Sequence, residues 1–127
     1  MEEKIIGVFE APVTEENTAK AMGSGSLPVF ATPAMVAMME HAAVNALEGK
    51  LPEGIDSVGI AINVEHLAAS PIGAMIRTEA RLTAADGRTY DFEIEAFDNT
   101  GLIGKATHRR ATVKVERFLE KTEQRIK

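Results

Sequence analysis

The run TPAMVAMMEHAAVNAL, residues 32–47, constrains the fold more than any other part of the chain. Thr32 reads as a helix N-cap and Pro33 as the first helical residue, while Glu48 and Gly49 close the run. Apolar residues occupy nearly every side of this cylinder, so the helix is expected to be buried on most sides. Something in the chain has to wrap it. Glu40 is the one carboxylate inside the run. Moving an ionised carboxylate out of water is costly unless it is paired or keeps its proton, so Glu40 is the first candidate for chemistry.

The wrapper follows the helix. SVGIAINVEHLAA, AMIRTEARLTA, TYDFEIEAFDN and GLIGKATHRRATVKVERF read as four strands. The turn signals SPIG, ADGR and NTG separate them, so consecutive strands are expected to be antiparallel neighbours. In the third strand Tyr90, Phe92, Ile94 and Ala96 share one face, and Asp91, Glu93 and Glu95 the other, as in a sheet with one wet side. Before the helix, residues 4–9 form a first strand, and TEENTAKAMGSGSLP gives a short helical turn and then a mobile loop. The tail, Leu119 to Lys127, reads as a frayed end. These 127 residues make one domain, 1–127, with no room for a second. The fold class is α+β: one long buried helix wrapped by a curved antiparallel sheet of about five strands.

Composition removes several classes of function. The net charge is −5 and aromatics make up 5 % of the chain, which argues against a nucleic-acid surface. There is no cysteine, and the three histidines form no close pair, so no metal site is expected. Neither a GxGxxG nor a P-loop motif occurs. The start, MEEKIIGVFEAPV, has two early acidic residues and no long apolar run, so neither a leader nor a membrane partner is expected, and the cytoplasm is the default location.

Among polar residues near apolar ones, Thr32, Glu40 and His66 stand out. Eight residues along a helix is a rotation of about 80° and a rise of about 12 Å, so Thr32 and Glu40 meet one ligand only from different places or different subunits. Free amides at the helix start suit an anion or a polarised carbonyl. Glu40 is expected either to have a raised pKa or to be held ionised by His66, which alternation puts on the apolar face with Ile62 and Val64. Each residue also has a plainer reading. Thr32 is a common cap, Glu40 a partner for a buried arginine, His66 a satisfied core histidine, and Gly59 a relief for strand curvature. His41 points about 100° away from Glu40 and reads as a packing or subunit-contact residue.

The segments VFATPAMVAMMEHA, GIAINVEHLAASPIG and GKATHRRA resemble motifs of the fluoroacetyl-CoA thioesterase family within the hot-dog thioesterases, and the likeness covers most of the chain. The resemblance implies a hot-dog fold and a thioesterase that hydrolyses an acyl-CoA, or a related acyl thioester, to free acid and thiol. It implies Thr32, Glu40 and His66 as catalytic residues and Gly59 as a backbone contact to substrate. It implies a site at the interface of a homodimer; a tetramer is the alternative assembly. Coenzyme A then enters as part of a small-molecule substrate, and no separate cofactor is called for. A polyanionic substrate on an acidic chain needs local cations; Arg110 and Lys114 share a strand face with His108, and Arg109 takes the other face. Arg77 and Arg81 form a second same-face pair.

The segment before the helix departs from the family. Ser26 stands near the position of a bulky aromatic lid residue, leaving Phe30 as the aromatic substrate contact. The likeness therefore extends to the reaction and stops short of the fluoroacetyl group. Two rivals share the fold: a non-catalytic acyl-CoA binding module, which needs no Glu40 carboxylate, and an enoyl-thioester hydratase, which releases no thiol.

Overall fold

The computed structural model describes residues 4–127; residues 1–3, which hold the two acidic positions read against a leader, lie outside the described residues. The elements in chain order are β1 (Ile6–Pro12), a 3-10 turn (Glu15–Asn17), α1 (Ala19–Met22), α2 (Thr32–Leu47), β2 (Ile55–His66), β3 (Met75–Ala85), β4 (Thr89–Asp98), β5 (Gly101–Lys114) and α3 (Val115–Gln124). The strands form one antiparallel sheet in the order β1-β3-β4-β5-β2. No helix among the described residues is long and apolar enough to cross a membrane.

α2 is the core of the molecule. Met35, Met39, Ala42 and Ala43 are fully buried against sheet residues Ile76, Phe92, Ile94 and Ile103. Two features let strand backbone settle on the helix. A Cβ on Gly7 of β1 would lie 2.0 Å from the Ala42 carbonyl oxygen, so only glycine permits this approach. The buried Thr78 hydroxyl sits 3.0 Å from the Phe9 carbonyl and 3.1 Å from that of Met38, so a polar group in the core is satisfied. In β4, Phe92, Ile94 and Ala96 are buried while Glu93 and Glu95 are exposed, as the alternation requires.

Four expectations need correction. β2 and β3 are not neighbours: β2 pairs with β5, and β1 with β3. SPIG is part of a crossover that passes the start of α2, where the Phe30 amide donates to the Ser70 carbonyl at 2.9 Å and Val29 bridges Pro71. Turn chemistry marks a change of direction and does not say which strand comes next. The last strand ends at Lys114, not Phe118, and the supposed frayed tail is helical to Gln124. Val115, Phe118, Leu119 and Thr122 repeat at helical spacing among strong helix formers, a pattern that overrides the β-branched run before it.

Lastly, α2 is covered on one broad side and not on most. Pro33, Ala37, His41 and Val44 form an exposed stripe with Glu40 in its midst, 42 % exposed in the side chain. The Gly-Ser segment after α1 is exposed but folds back on itself, with the Lys20 amide donating to Leu27 and the Ala19 amide to Val29.

Candidate active site

The candidate residues fall into two clusters on one chain. The first lies at the start of α2. The residue before the helix, Ala31, takes the N-cap position, so Thr32 is already helical and its side chain does not cap. The expectation of a Thr32 cap was off by one residue. The hydroxyl instead lies 2.8 Å from His66 Nδ1, at the end of β2. β2 reaches that point because it runs the full length of β5, to the pair His66 and Gly104.

Phe30 packs behind the imidazole, edge to face, with ring centroids 6.2 Å apart. It is almost wholly buried and still borders a cleft of about 250 Å³ lined also by Ser24, Thr32, His66 and Leu67. Burial pushes the His66 pKa below its ordinary value, opposed in part by the Ala68 backbone. His66 Nε2 is buried and finds no hydrogen-bond partner among the described residues. A histidine tied to a hydroxyl through one nitrogen and unpartnered at the other is equipped to pass a proton.

The second cluster surrounds Glu40, about 12 Å further along α2. Its carboxylate is 3.7 Å from Arg110 Nη1, and a Cβ on Gly59 would lie 2.6 Å from Oε2. Gly59 therefore leaves the space that Glu40 occupies, and the β2–β5 register shifts between Gly59 and Ala61.

Arg110 is buried and firmly held. Its Nε donates to Ser57 Oγ at 2.9 Å, Nη2 to the Ser57 carbonyl at 3.0 Å, and Nη1 lies 3.2 Å from His108 Nε2. His108 Nδ1 lies 2.9 Å from the Ala61 carbonyl. Because a carbonyl only accepts, Nδ1 carries the proton and Nε2 is left to accept from Arg110. Burial lowers the His108 pKa, and the guanidinium beside it works in the same direction.

The two clusters are not joined within the chain. Glu40 meets Arg110 and not His66, so the expected Glu40–His66 pairing is absent from the single subunit. Nor is Arg110 part of an exposed basic patch: its guanidinium points inward, whereas Lys114 is exposed at the end of β5. Arg109 lies on the other face, paired with Asp91 at 2.6 Å, and Arg77 and Arg81 are each matched to a glutamate. His41 stacks on Phe9 at 3.8 Å, as its packing role requires. Ser57 was not singled out from sequence; only the register that sets Ser57 and Gly59 beside Thr112 and Arg110 reveals it. Among the described residues no three metal-ligating side chains converge.

A long helix seated in a five-stranded antiparallel sheet of this order is the hot-dog fold. The model of the family "Fluoroacetyl-CoA-specific thioesterase" matches residues 13–116, and the chain belongs to that family. A curated fluoroacetyl-CoA thioesterase from Streptantibioticus cattleyicolor is 40 % identical over 97 residues, which is 76 % of this chain and 70 % of that protein. A solved threonine-to-serine mutant of the fluoroacetyl-CoA thioesterase FlK, in complex with acetyl-CoA, superposes with a TM-score of 0.90 at 32 % identity, covering 98 % of each chain. A thioesterase superfamily member from Thermus thermophilus superposes at 0.87 with 31 % identity, covering 98 % of this chain and 94 % of that one.

Proposed function

We propose that this thioesterase hydrolyses an acyl-CoA to the free acid and coenzyme A at sites completed by a second copy of the chain. The observation that supports this most directly is the division of the candidate residues: Thr32 bonds His66 at one end of α2, while Glu40, Gly59 and Arg110 cluster further along. Two copies related by a two-fold axis bring the Thr32 end of one to the Glu40 end of the other.

Two surfaces favour that assembly. β2 is an edge strand with Ile60 53 % and Ile62 36 % exposed, and an unpaired apolar edge invites pairing with a like strand. The bare apolar stripe of α2 around Glu40 is the second surface. In a dimer Glu40 gains the dry surroundings that its sequence context calls for.

At such a site Glu40 is the base that draws a proton from water, or the nucleophile that attacks the thioester carbonyl directly. Arg110 supplies the facing positive charge. Gly59, without a side chain, admits the Glu40 carboxylate, and its backbone beside that carboxylate faces the substrate. Thr32 orients the acyl group and sets the neutral His66 imidazole, which carries to the departing thiolate the proton that Glu40 takes from water. Phe30 backs that imidazole and walls the cleft. Coenzyme A is thus substrate and not a resident cofactor. Because coenzyme A thioesters are metabolites of the cell interior, the proposal puts the enzyme in the cytoplasm. Exposed Ser26 offers no large apolar surface to grip a fluoromethyl group, so the acyl preference is broader than fluoroacetyl.

Thiol release from an acyl-CoA panel, acetyl to long-chain and fluoroacetyl, by wild type, Glu40→Gln and His66→Ala tests the reading. The expected result is turnover by wild type that falls by about a hundredfold or more in each variant. Turnover that survives Glu40→Gln would remove Glu40 from catalysis, and coenzyme A binding with no release from any substrate would leave a binding module.

A further inference from the structure

The mechanism makes no use of α3, although its surface is strongly ordered by charge. Arg117, Lys121 and Arg125 recur every four residues on one side, with Lys114 just ahead, while Glu116, Glu120 and Glu123 lie on the far side. No residue of α3 is buried, and the Val115 amide anchors its start to the Gly54 carbonyl at 3.0 Å. Between the helix and the end of β5 runs a groove of about 210 Å³ lined by Val113, Lys114, Arg117, Phe118 and Lys121.

These cations differ from the arginines of the sheet. Arg77, Arg81, Arg109 and Arg110 each face a carboxylate, whereas among the described residues Lys114, Arg117 and Lys121 form no ion pair. On a chain of net charge −5, three unmatched cations round one groove form a local site for a polyanion. Phe118, 37 % exposed among them, adds a flat apolar face of the kind on which a nucleobase stacks.

The distance to the active site selects the ligand. Lys114 stands four residues beyond Arg110 on β5, about 13 Å along the strand, and Arg117 and Lys121 line the same groove. A pantetheine arm, with two amide units and their methylenes, reaches about as far as a five-residue extended segment, about 17 Å. We propose that the groove between β5 and α3 binds the nucleotide end of the coenzyme A thioester, with Lys114, Arg117 and Lys121 on its phosphates and Phe118 against its adenine. The proposal rests on the acyl-CoA reading and deepens it. It makes the free coenzyme A ester the substrate in preference to a thioester on a carrier protein.

The test compares one acyl-CoA with the matching acyl-pantetheine, using wild type and the double variant R117E/K121E, with circular dichroism to check that the helix remains. The ratio of kcat/KM for acyl-CoA over acyl-pantetheine should fall at least about tenfold in the variant, and the same ratio should fall with rising salt in wild type. An unchanged ratio, or equal losses on both substrates, overturns the proposal. If wild type cleaves neither thioester, the thioesterase reading fails on its own. Calorimetric titration with coenzyme A then judges the groove separately: weaker binding by R117E/K121E supports it, and equal binding overturns it.

Discussion

A displacement of one residue gives Thr32 its hydroxyl. With Ala31 at the N-cap, the threonine side chain owes nothing to the helix backbone and bonds His66 instead. Sequence reading singled out Thr32, Glu40 and His66, and it left Glu40 either with His66 or with a buried arginine. Within one chain it is Arg110 that stands beside Glu40. The state of His66 has a consequence that pH can read. Burial lowers its pKa, so its neutral form persists below the ordinary histidine value of about 6.5. The acid limb of kcat/KM should therefore lie below pH 6.5, and Phe30→Ala, which opens the imidazole to water, should move it upward. A limb that stays in place would detach the titration from His66. For stability the sign is the same for His66 and His108, both depressed in the native state. Their contribution is present above about pH 6.5 and is lost as pH falls through the native values, because the unfolded chain takes up protons first.

Among the elements, α2 was the most legible, since its capping region, length and apolar content all agree. Its seat depends on a residue that carries no side chain. Gly7 brings the backbone of β1 against α2, and the neighbouring Val8 carbonyl accepts from Asn45 Nδ2 at 2.8 Å. Gly7→Val places carbon where the Ala42 carbonyl already lies, and is expected to destabilise by about 2–4 kcal/mol. Denaturant melts measure this, and a loss under 1 kcal/mol would mean that β1 shifts freely. The crossover after β2 was illegible for a different reason. Local residues specify that the chain turns, but strand partners are set by which edges remain free once α2 is covered.

For the whole molecule, the division of the site between two ends of α2 makes a strong claim about assembly. Glu40→Gln and His66→Ala, each inactive alone, should complement when mixed under conditions that exchange subunits. Half of randomly mixed dimers are hybrid and each hybrid holds one intact site, so activity should return to about a quarter of wild type. No recovery, with hybrids shown by mass spectrometry to form, would place Glu40 and His66 in one subunit's site. By itself the sequence determined the α+β class, the long apolar helix and the alternation in β4, and it nominated three candidate site residues. All of these are written in local periodicity and in the cost of burying charge. Only the tertiary structure decided the sheet order, the helical C-terminus, the Ser57 and His108 clamp on Arg110, and the pairing of Thr32 with His66. Those depend on register between strands distant in sequence and on close approach of backbones, and neither quantity exists until the chain has folded.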